Sequence, residues 1–201
     1  MSQGTLQYFD ALYAAYDDPY GVRSRWYEER KRALLLAALP QQRFFRAYEP
    51  GCGVGELTLA LAPRCERLLA SDGAERAVSV ARQRVAALPH VCVELHRLPA
   101  QWPRHEGAFD LIVLSEMSYF LDEEAMVELA RCCKDTLSAG GTLVACDWRL
   151  DFAQRCISTD LAHRILGELG LARLLRHEEE DFLLQVWSRD GRSIAQREGI
   201  R

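Results

Sequence analysis

The chain has 201 residues, which is enough for one α/β domain and its core. Apolar residues make up 49% of it and charged residues 27%, a globular composition that excludes the disordered, fibrous and membrane classes. The formal net charge of -4 argues against a broad electrostatic surface for nucleic acid, so no polynucleotide partner is expected.

The sequence also predicts the cellular compartment of the protein, the state of its cysteines and the absence of a bound metal. No basic stretch followed by an apolar one marks a leader, and no stretch approaches the roughly 18 apolar residues of a membrane span. We therefore expect a cytoplasmic protein. Seven cysteines form an odd set without C-x-x-C spacing, and five histidines show no ligand spacing. Free thiols and the absence of a metal site are the resulting predictions.

The first 40 residues are predicted to form a lid and a helix. An aromatic-rich segment at 8–20 is broken by Asp18-Pro19, which indicates a short helix followed by a loop. We expect residues 1–22 to form a mobile lid over a site. Periodic leucines then predict a helix from Ser24 to Leu39, with Ser24 as its N-cap and Pro40 at its end.

Beyond residue 43, short apolar runs alternate with helical stretches. Such alternation predicts parallel strands joined by right-handed helical crossovers. The predicted strands are 44–48, 67–70, 91–95, 109–115 and 142–147, and the predicted helices are 57–62, 74–88, 122–137 and about 158–169. Strands at about 172–177 and 182–188 are close enough to form an antiparallel hairpin. No linker or repeat interrupts the pattern, so one domain spanning 1–201 is expected.

A glycine-rich turn follows the first predicted core strand. It reads E-P-G-C-G-V-G-E at 49–56 and is followed by a helical run. Glycines at a strand-to-helix turn let the backbone bend sharply and approach a ligand. Asp72 comes about 20 residues later, after the next strand, where a carboxylate can accept hydrogen bonds from both ribose hydroxyls. Together these features predict a crevice that binds an adenosine cofactor.

The charges near this turn favour S-adenosylmethionine (SAM) over NAD. A dinucleotide fingerprint G-x-G-x-x-G needs glycine at position 56, where this chain has Glu56. A carboxylate beside a pyrophosphate would be repulsive. SAM carries no phosphate, and its ammonium and sulfonium suit Glu49 and Glu56.

Several motifs resemble those of known families. Motifs of class I SAM-dependent methyltransferases are matched by E-P-G-C-G-V-G at 49–55, S-D at 71–72, F-D-L-I-V-L-S-E at 109–116 and S-A-G-G-T-L at 138–143. The nodulation protein S family, which N-methylates a deacetylated chitooligosaccharide, is resembled by D-P-Y at 18–20, S-R-W-Y-E at 24–28, S-E-M-S-Y-F-L at 115–121 and E-D-F-L-L at 180–184. Methyltransferase domains found with sugar N-deacetylases are similar at D-W-R, 147–149, and R-H-E-E-E-D-F-L, 176–183.

The resemblance implies an α/β, Rossmann-like class I methyltransferase sandwich. Its sheet would be mostly parallel and seven-stranded, with a C-terminal antiparallel hairpin. The implied reaction transfers a methyl group from SAM to the nitrogen of an amino sugar or oligosaccharide and leaves S-adenosyl-L-homocysteine (SAH). An N-deacetylase or a glycosyltransferase is the implied partner in the pathway.

Cofactor-binding residues are predicted along the turn and the strand ends. Asp72 is expected to bind the ribose, with helix capping as the alternative, and Leu98 is expected to contact the adenine. Tyr119 can close over the sulfonium, or it belongs to the core. The full predicted set is Lys31, Glu49, Gly51, Cys52, Gly53, Asp72, Gly73, Leu98, Ser115 and Tyr119.

Glu116 is the predicted catalytic residue. It ends the fourth strand, at the sheet edge where ligands bind in open α/β sheets, and it can orient the acceptor or act as a general base. A structural role is the alternative. The resemblance implies contacts to the cofactor carboxylate or the acceptor from the basic and aromatic helix that contains Lys31. The predicted acceptor-side residues are Tyr20, Trp26, Tyr27 and Trp148.

Two departures bear on the acceptor. The nodulation enzymes have tryptophan where this chain has Tyr20, and the deacetylase-associated domains have histidine where it has Asp147. Three rival functions stay open at this stage: O-methylation of another small molecule, NAD-dependent oxidoreduction, and SAM binding without catalysis. The oxidoreductase lacks its third glycine and a Tyr-x-x-x-Lys pair.

Overall fold

One seven-stranded sheet organises the protein, whose computed structural model describes residues 3–201. The strands are β1 (Phe44–Pro50), β2 (Cys65–Asp72), β3 (Val91–Leu95), β4 (Phe109–Ser115), β5 (Leu137–Trp148), β6 (Ala172–Glu178) and β7 (Phe182–Ser188). Their order is β3-β2-β1-β4-β5-β7-β6. Strands β1 to β5 are parallel, and β7 lies antiparallel between β5 and β6. The predicted fold class, with its C-terminal hairpin, is confirmed.

Helices connect and cover the strands. They are α1 (Gln3–Ala15), α2 (Trp26–Ala38), α3 (Glu56–Leu61), α4 (Glu75–Arg84), α5 (Glu123–Thr136), α6 (Thr159–Gly167) and α7 (Ile194–Arg197). A short 3-10 turn, Ser118–Phe120, follows β4. In the described part of the chain, no helix has the length and apolarity needed to cross a membrane.

Both faces of the sheet are buried, because the side chains of a strand alternate between its two faces. Tyr48 and Ile112 pack into the core that contains residues of α5 and α6. Their neighbours Ala47 and Leu111 pack into the core that contains residues of α2 and α3. The apolar run of β4, from Leu111 to Leu114, is fully buried. Helices on both faces therefore hold the carboxyl ends of the strands in place.

Two local predictions are wrong. Helix α2 begins at Trp26, and its N-cap position is Arg25 without a side-chain hydrogen bond, so Ser24 does not cap it. Strand β5 begins at Leu137 rather than at the predicted residue 142. Its pairing with β4 shifts register between Phe109 and Leu111, so residues 138–141 lie in an irregular part of the ladder.

Helix α5 provides a test of the capping interactions. The Asp122 carboxylate accepts a hydrogen bond from the Ala125 amide at 2.8 Å. We expect Asp122→Ala to lower the free energy of unfolding by about 1 kcal/mol, because it leaves a helix amide without that partner. Urea unfolding monitored by circular dichroism measures the change.

Ser24→Ala is the matched control, since the Ser24 side chain caps no helix. It should change the free energy of unfolding by less than about 0.5 kcal/mol. Equal losses in the two variants would contradict the assignment of the caps.

Candidate active site

A cavity of about 630 Å³ lies at the carboxyl edge of the sheet. Every predicted site residue except Trp26 lines it: Tyr20, Tyr27, Lys31, Glu49, Gly51, Cys52, Gly53, Asp72, Gly73, Leu98, Ser115, Glu116, Tyr119 and Trp148. Residues from the ends of β1, β2, β4 and β5 meet there because parallel strands end at one edge. The topology thus brings distant motifs into a single site.

The glycine turn has the backbone conformation that its sequence predicts. Gly51 and Gly53 have φ values of 73° and 52°, in the left-handed region that glycine adopts without strain. A Cβ atom on Gly51 would lie 2.9 Å from the Cβ atom of Met117. A side chain at this position would therefore be strained and would collide with the loop after β4.

Asp72 ties the turn to the end of β2. Its carboxylate accepts hydrogen bonds from the amides of Gly53 and Ala74, both at 2.9 Å. Burial raises the pKa of Asp72, and these amide bonds oppose the rise. The N-cap position of α4 is Ala74, so Asp72 precedes the helix and its side chain faces the cavity. The geometry leaves the carboxylate available to a hydroxyl-bearing ligand.

Glu49 is a buried carboxyl group whose Oε2 atom has no hydrogen-bond partner within residues 3–201. It is 2% exposed and lines the cavity. Burial raises its pKa to about 8. A buried acidic oxygen without a partner is costly unless a ligand supplies a donor or a positive charge.

The segment expected near the adenine is buried. Leu98 is 7% exposed and lines the cavity. His96 is also buried. Its Nε2 atom lies 2.9 Å from Glu94, and its Nδ1 atom lies 3.3 Å from the Tyr48 hydroxyl. The histidine thus belongs to the wall of the cavity.

Glu116 holds the central position on the other side of the cavity. Its φ of 56° places a non-glycine residue in the left-handed region, which turns the chain sharply after β4. Lys31 donates to Oε1 at 2.7 Å, and the Trp148 amide donates to Oε2 at 3.1 Å. The Tyr119 hydroxyl also donates to Oε2. Burial raises the pKa of Glu116, while Lys31 lowers it.

Lys31 has protein partners that the sequence did not predict. Its ammonium lies 3.1 Å from Glu28 and 2.7 Å from Glu116, and the side chain is almost fully buried. It also lies 4.9 Å from the centre of the Tyr27 ring. Glu28 was missed, although its i,i+3 spacing from Lys31 on a helix is a signal for such a pair. Lys31 therefore faces two carboxylates of the protein itself, and its predicted contact with the cofactor stays a prediction.

Aromatic rings form the adjoining wall. Tyr27 meets Trp148 edge to face, with ring centres 5.8 Å apart. Tyr20 also lines the cavity and is 42% exposed. Trp26 does not line it and is 70% exposed. The helical rotation from one residue to the next puts Tyr27 inward and Trp26 outward, so Trp26 is removed from the acceptor side.

Helix α1 covers the glycine turn. Phe9 and Tyr13 are buried, and Phe9 meets Phe120 edge to face with ring centres 4.8 Å apart. A Cβ atom built on Gly53 would lie 3.1 Å from the Tyr13 hydroxyl, so little space separates the helix from the turn. The predicted position over the site is thus observed for the described part of the segment. Its predicted mobility stays a prediction.

Comparisons with known proteins place the chain among methyltransferases. Residues 47–141 match the family model of a methyltransferase domain. Nodulation protein S of Bradyrhizobium diazoefficiens is 30% identical over 146 residues, which cover 70% of this chain and 68% of that sequence. A putative methyltransferase from Pseudomonas syringae is 48% identical, with a TM-score of 0.73, over 82% of this chain and 99% of that one. The chain belongs to the nodulation protein S family of methyltransferases.

A solved member of this family extends the comparison. N-methyltransferase NodS from Bradyrhizobium japonicum WM9, in complex with SAH, is 27% identical with a TM-score of 0.79, over 92% of this chain and 97% of that one. The matched regions span only about half the length of two other nodulation protein S sequences, 48% for Rhizobium tropici and 53% for Sinorhizobium fredii.

The residues of this family member fit SAM. Asp72 can accept from the ribose hydroxyls, and the unpartnered oxygen of Glu49 suits an ammonium group. Glu56 also lines the cavity, but its carboxylate is paired with Arg84 and lies 3.6 Å from Arg23, so the charge expected to face the cofactor is met by arginines of the protein itself. Among the described residues, no three His, Cys, Asp or Glu side chains form a group that could hold a metal ion. Asp72 and Glu49 thus supply acceptors for a ligand that carries hydroxyl groups and a positive charge.

We expect Asp72→Ala to weaken SAH binding by about 2 to 4 kcal/mol, because it removes two charge-assisted hydrogen bonds to the ribose. Isothermal calorimetry measures the affinity. Glu75→Gln is the matched control, since Glu75 is an exposed acid in the first turn of α4 and does not line the cavity. Unchanged affinity in the Asp72 variant would refute its role as the ribose ligand.

Glu49 predicts a proton-linked affinity. With a pKa of about 8, its carboxyl is mostly protonated at pH 7 in the free protein, whereas a bound ammonium favours the ionised form. Binding of SAH at pH 7 should therefore release nearly one proton from this group, and its contribution to affinity should grow as the pH rises toward 8. Calorimetry in buffers of different ionisation enthalpy measures the release. Glu49→Gln should abolish it, and an equal release in that variant would contradict the assignment.

Proposed function

We propose that this family member transfers the methyl group of SAM to the nitrogen of an amino sugar or a similarly hydroxyl-rich amine. When bound, SAM supplies a methyl group on a positively charged sulfur, which is already an activated leaving group. The protein then has to position the acceptor, remove a proton and exclude water. An enzyme that generates free amines, such as an N-deacetylase, or a glycosyltransferase would supply the acceptor.

The charge of the cavity carries this proposal. Seven of the residues that line it are aspartate or glutamate, and only three are arginine or lysine. Of those three, Lys31 is paired with Glu28 and Glu116, and Arg32 donates to the Val22 carbonyl. Of the acids, Glu56 is paired with Arg23 and Arg84, and the raised pKa of Glu49 keeps it mostly protonated until a cation binds. An excess of acids favours ligands that carry positive charge and disfavours carboxylate or phenolate acceptors. An amine beside the cationic cofactor meets this condition.

Glu116 is the group proposed to receive or orient the proton of the acceptor. Its carboxylate has about four lone-pair positions, of which Lys31, Tyr119 and the Trp148 amide occupy three. One position is left for an N–H of the acceptor. The nitrogen lone pair forms the new bond to carbon, the carbon–sulfur bond breaks, and the proton leaves the nitrogen for Glu116.

Helix α1 and the aromatic residues below it would keep water away from the reacting groups. Phe9, Tyr13, Tyr119 and Phe120 form a buried cluster over the site. We propose that α1 is the ordered part of a lid that closes on the bound cofactor. Holding the acceptor in line with the methyl group is worth on the order of 7 to 11 kcal/mol in well-oriented systems. The pairing of a closed cover with a single carboxylate is therefore sufficient for the reaction.

We expect Glu116→Gln to reduce turnover by about 100-fold or more, the usual scale for a positioned general base, while SAH affinity stays within about 1 kcal/mol of wild type. Turnover is measured with free glucosamine, deacetylated chitooligosaccharides, small phenols and carboxylic acids. Methylation confined to oxygen would refute the amine while leaving methyl transfer intact. No turnover with any acceptor despite SAH binding would favour a binding module.

Glu28→Gln is the matched control for the ion pair. It removes the other carboxylate that faces Lys31 but leaves Glu116 and its three donors in place. Its loss of turnover should be at least tenfold smaller than that of Glu116→Gln, because general-base catalysis contributes roughly 100-fold or more. Equal losses would show that the charge balance around Lys31, rather than proton transfer, sets the rate.

A further inference from the structure

The turn between β6 and β7 contains acidic side chains, some of which form ion pairs with arginine. Glu178 lies 3.0 Å from Arg149 and 2.6 Å from Arg176. Glu179 makes two hydrogen bonds with Arg30, at 2.7 and 2.9 Å. Asp181 is half-buried, and within residues 3–201 its carboxylate has no ion pair or hydrogen bond. The cationic side chains nearby are thus used by the other two acids, and Asp181 is left free.

The backbone places Asp181 at the cavity. Its carbonyl accepts a hydrogen bond from the Arg149 amide at 2.8 Å, next to the paired residues Trp148 and Phe182 of β5 and β7. Asp181 lines the same cavity as Trp148 and Glu116. Its position is set by the sheet register rather than by a free loop, so its carboxylate is presented to the cavity by a rigid element.

The buried hydroxyl of Tyr27 is a second, independent feature that points to a ligand in this part of the cavity. This hydroxyl has no hydrogen-bond partner in the described part of the chain. The Tyr27 ring lies between Trp148 and Phe182, at centre distances of 5.8 and 6.3 Å. Burial raises the pKa of Tyr27, the Lys31 ammonium opposes the rise, and the charges of Glu116, Glu28 and Asp181 add to it. An unpaired buried hydroxyl is costly unless a ligand completes it.

We propose that Asp181 and the Tyr27 hydroxyl form a subsite for hydroxyl groups of the acceptor, with the Trp148 ring covering an apolar face of its sugar ring. This subsite rests on the proposed function and deepens it. A carboxylate accepts from two hydroxyls, a phenol both donates and accepts, and an aromatic ring contacts the C–H groups of a sugar. Glu116 selects the nitrogen, and Asp181 selects the hydroxylated ring that carries it. Sequence inspection included Asp181 in two motifs that resemble those of known families, but it assigned the residue no role.

Binding to the SAH-loaded protein tests the subsite without relying on turnover. Calorimetry compares glucosamine with cyclohexylamine, a six-membered ring that has an amine but no hydroxyls. Asp181→Ala and Asp181→Asn should weaken glucosamine binding by about tenfold or more, the scale of a hydrogen bond to a charged group. Cyclohexylamine binding should change less than twofold. Glu180→Gln, which alters the exposed neighbouring acid, should change neither affinity by more than twofold.

The outcomes separate the two proposals. Equal weakening for both amines, or no weakening of glucosamine binding in either Asp181 variant, would overturn the subsite while leaving the methyl transfer to amines in place. Glucosamine binding by the wild type, without methylation of either glucosamine or deacetylated chitooligosaccharides, would overturn the proposed reaction while leaving the subsite in place. Failure of the wild type to bind glucosamine at millimolar concentration would overturn both.

Discussion

The ion pair between Lys31 and Glu116 is the interaction on which the site depends. It joins α2 to the end of β4 through a contact of 2.7 Å between residues 85 positions apart. Glu116 in turn binds the Tyr119 hydroxyl and the Trp148 amide, so one carboxylate holds a helix, a turn and a strand end. Charges removed from water need such partners, because an unpaired buried ion is far more costly than a paired one. The pair therefore orders the groups around it.

Carboxyl groups at the two sides of the cavity have different partners, which fits the different roles proposed for them. Glu116 is surrounded by donors and remains ready to accept one more. Glu49 has an oxygen without a donor, and burial raises its pKa to about 8. The surroundings of Glu116 suit a group that accepts or orients a proton, and those of Glu49 suit a group that binds a cation. Glu49 would then pair with the ammonium group of the cofactor, and Glu116 would accept a hydrogen bond from the nitrogen of the acceptor.

Aromatic residues of α1 cover the cavity. Phe9 and Tyr13 pack on Phe120 and the start of α4, so the cover is joined to the same turn that positions Tyr119. Excluding water strengthens electrostatic interactions inside the site, since the effective dielectric falls. The aromatic cover thus strengthens the electrostatic interactions of the charged groups beneath it. A gap above the glycine turn would weaken the interactions made by Asp72 and Glu116 alike.

The sequence by itself determined the sheet, the glycine turn and the place of Asp72, because these follow from local patterns. Strand periodicity and the conformational freedom of glycine are recognised from residues that are close together in the chain. The general rule that parallel strands end at one edge of a sheet then places Asp72 beside the glycine turn. Only the tertiary structure decided the partners of Lys31, the outward position of Trp26 and the place of Asp181 at the cavity. Each depends on the rotation of α2 or the register of β7 against β5, and a helix-periodic or strand-periodic pattern does not specify which residues of other elements it will meet.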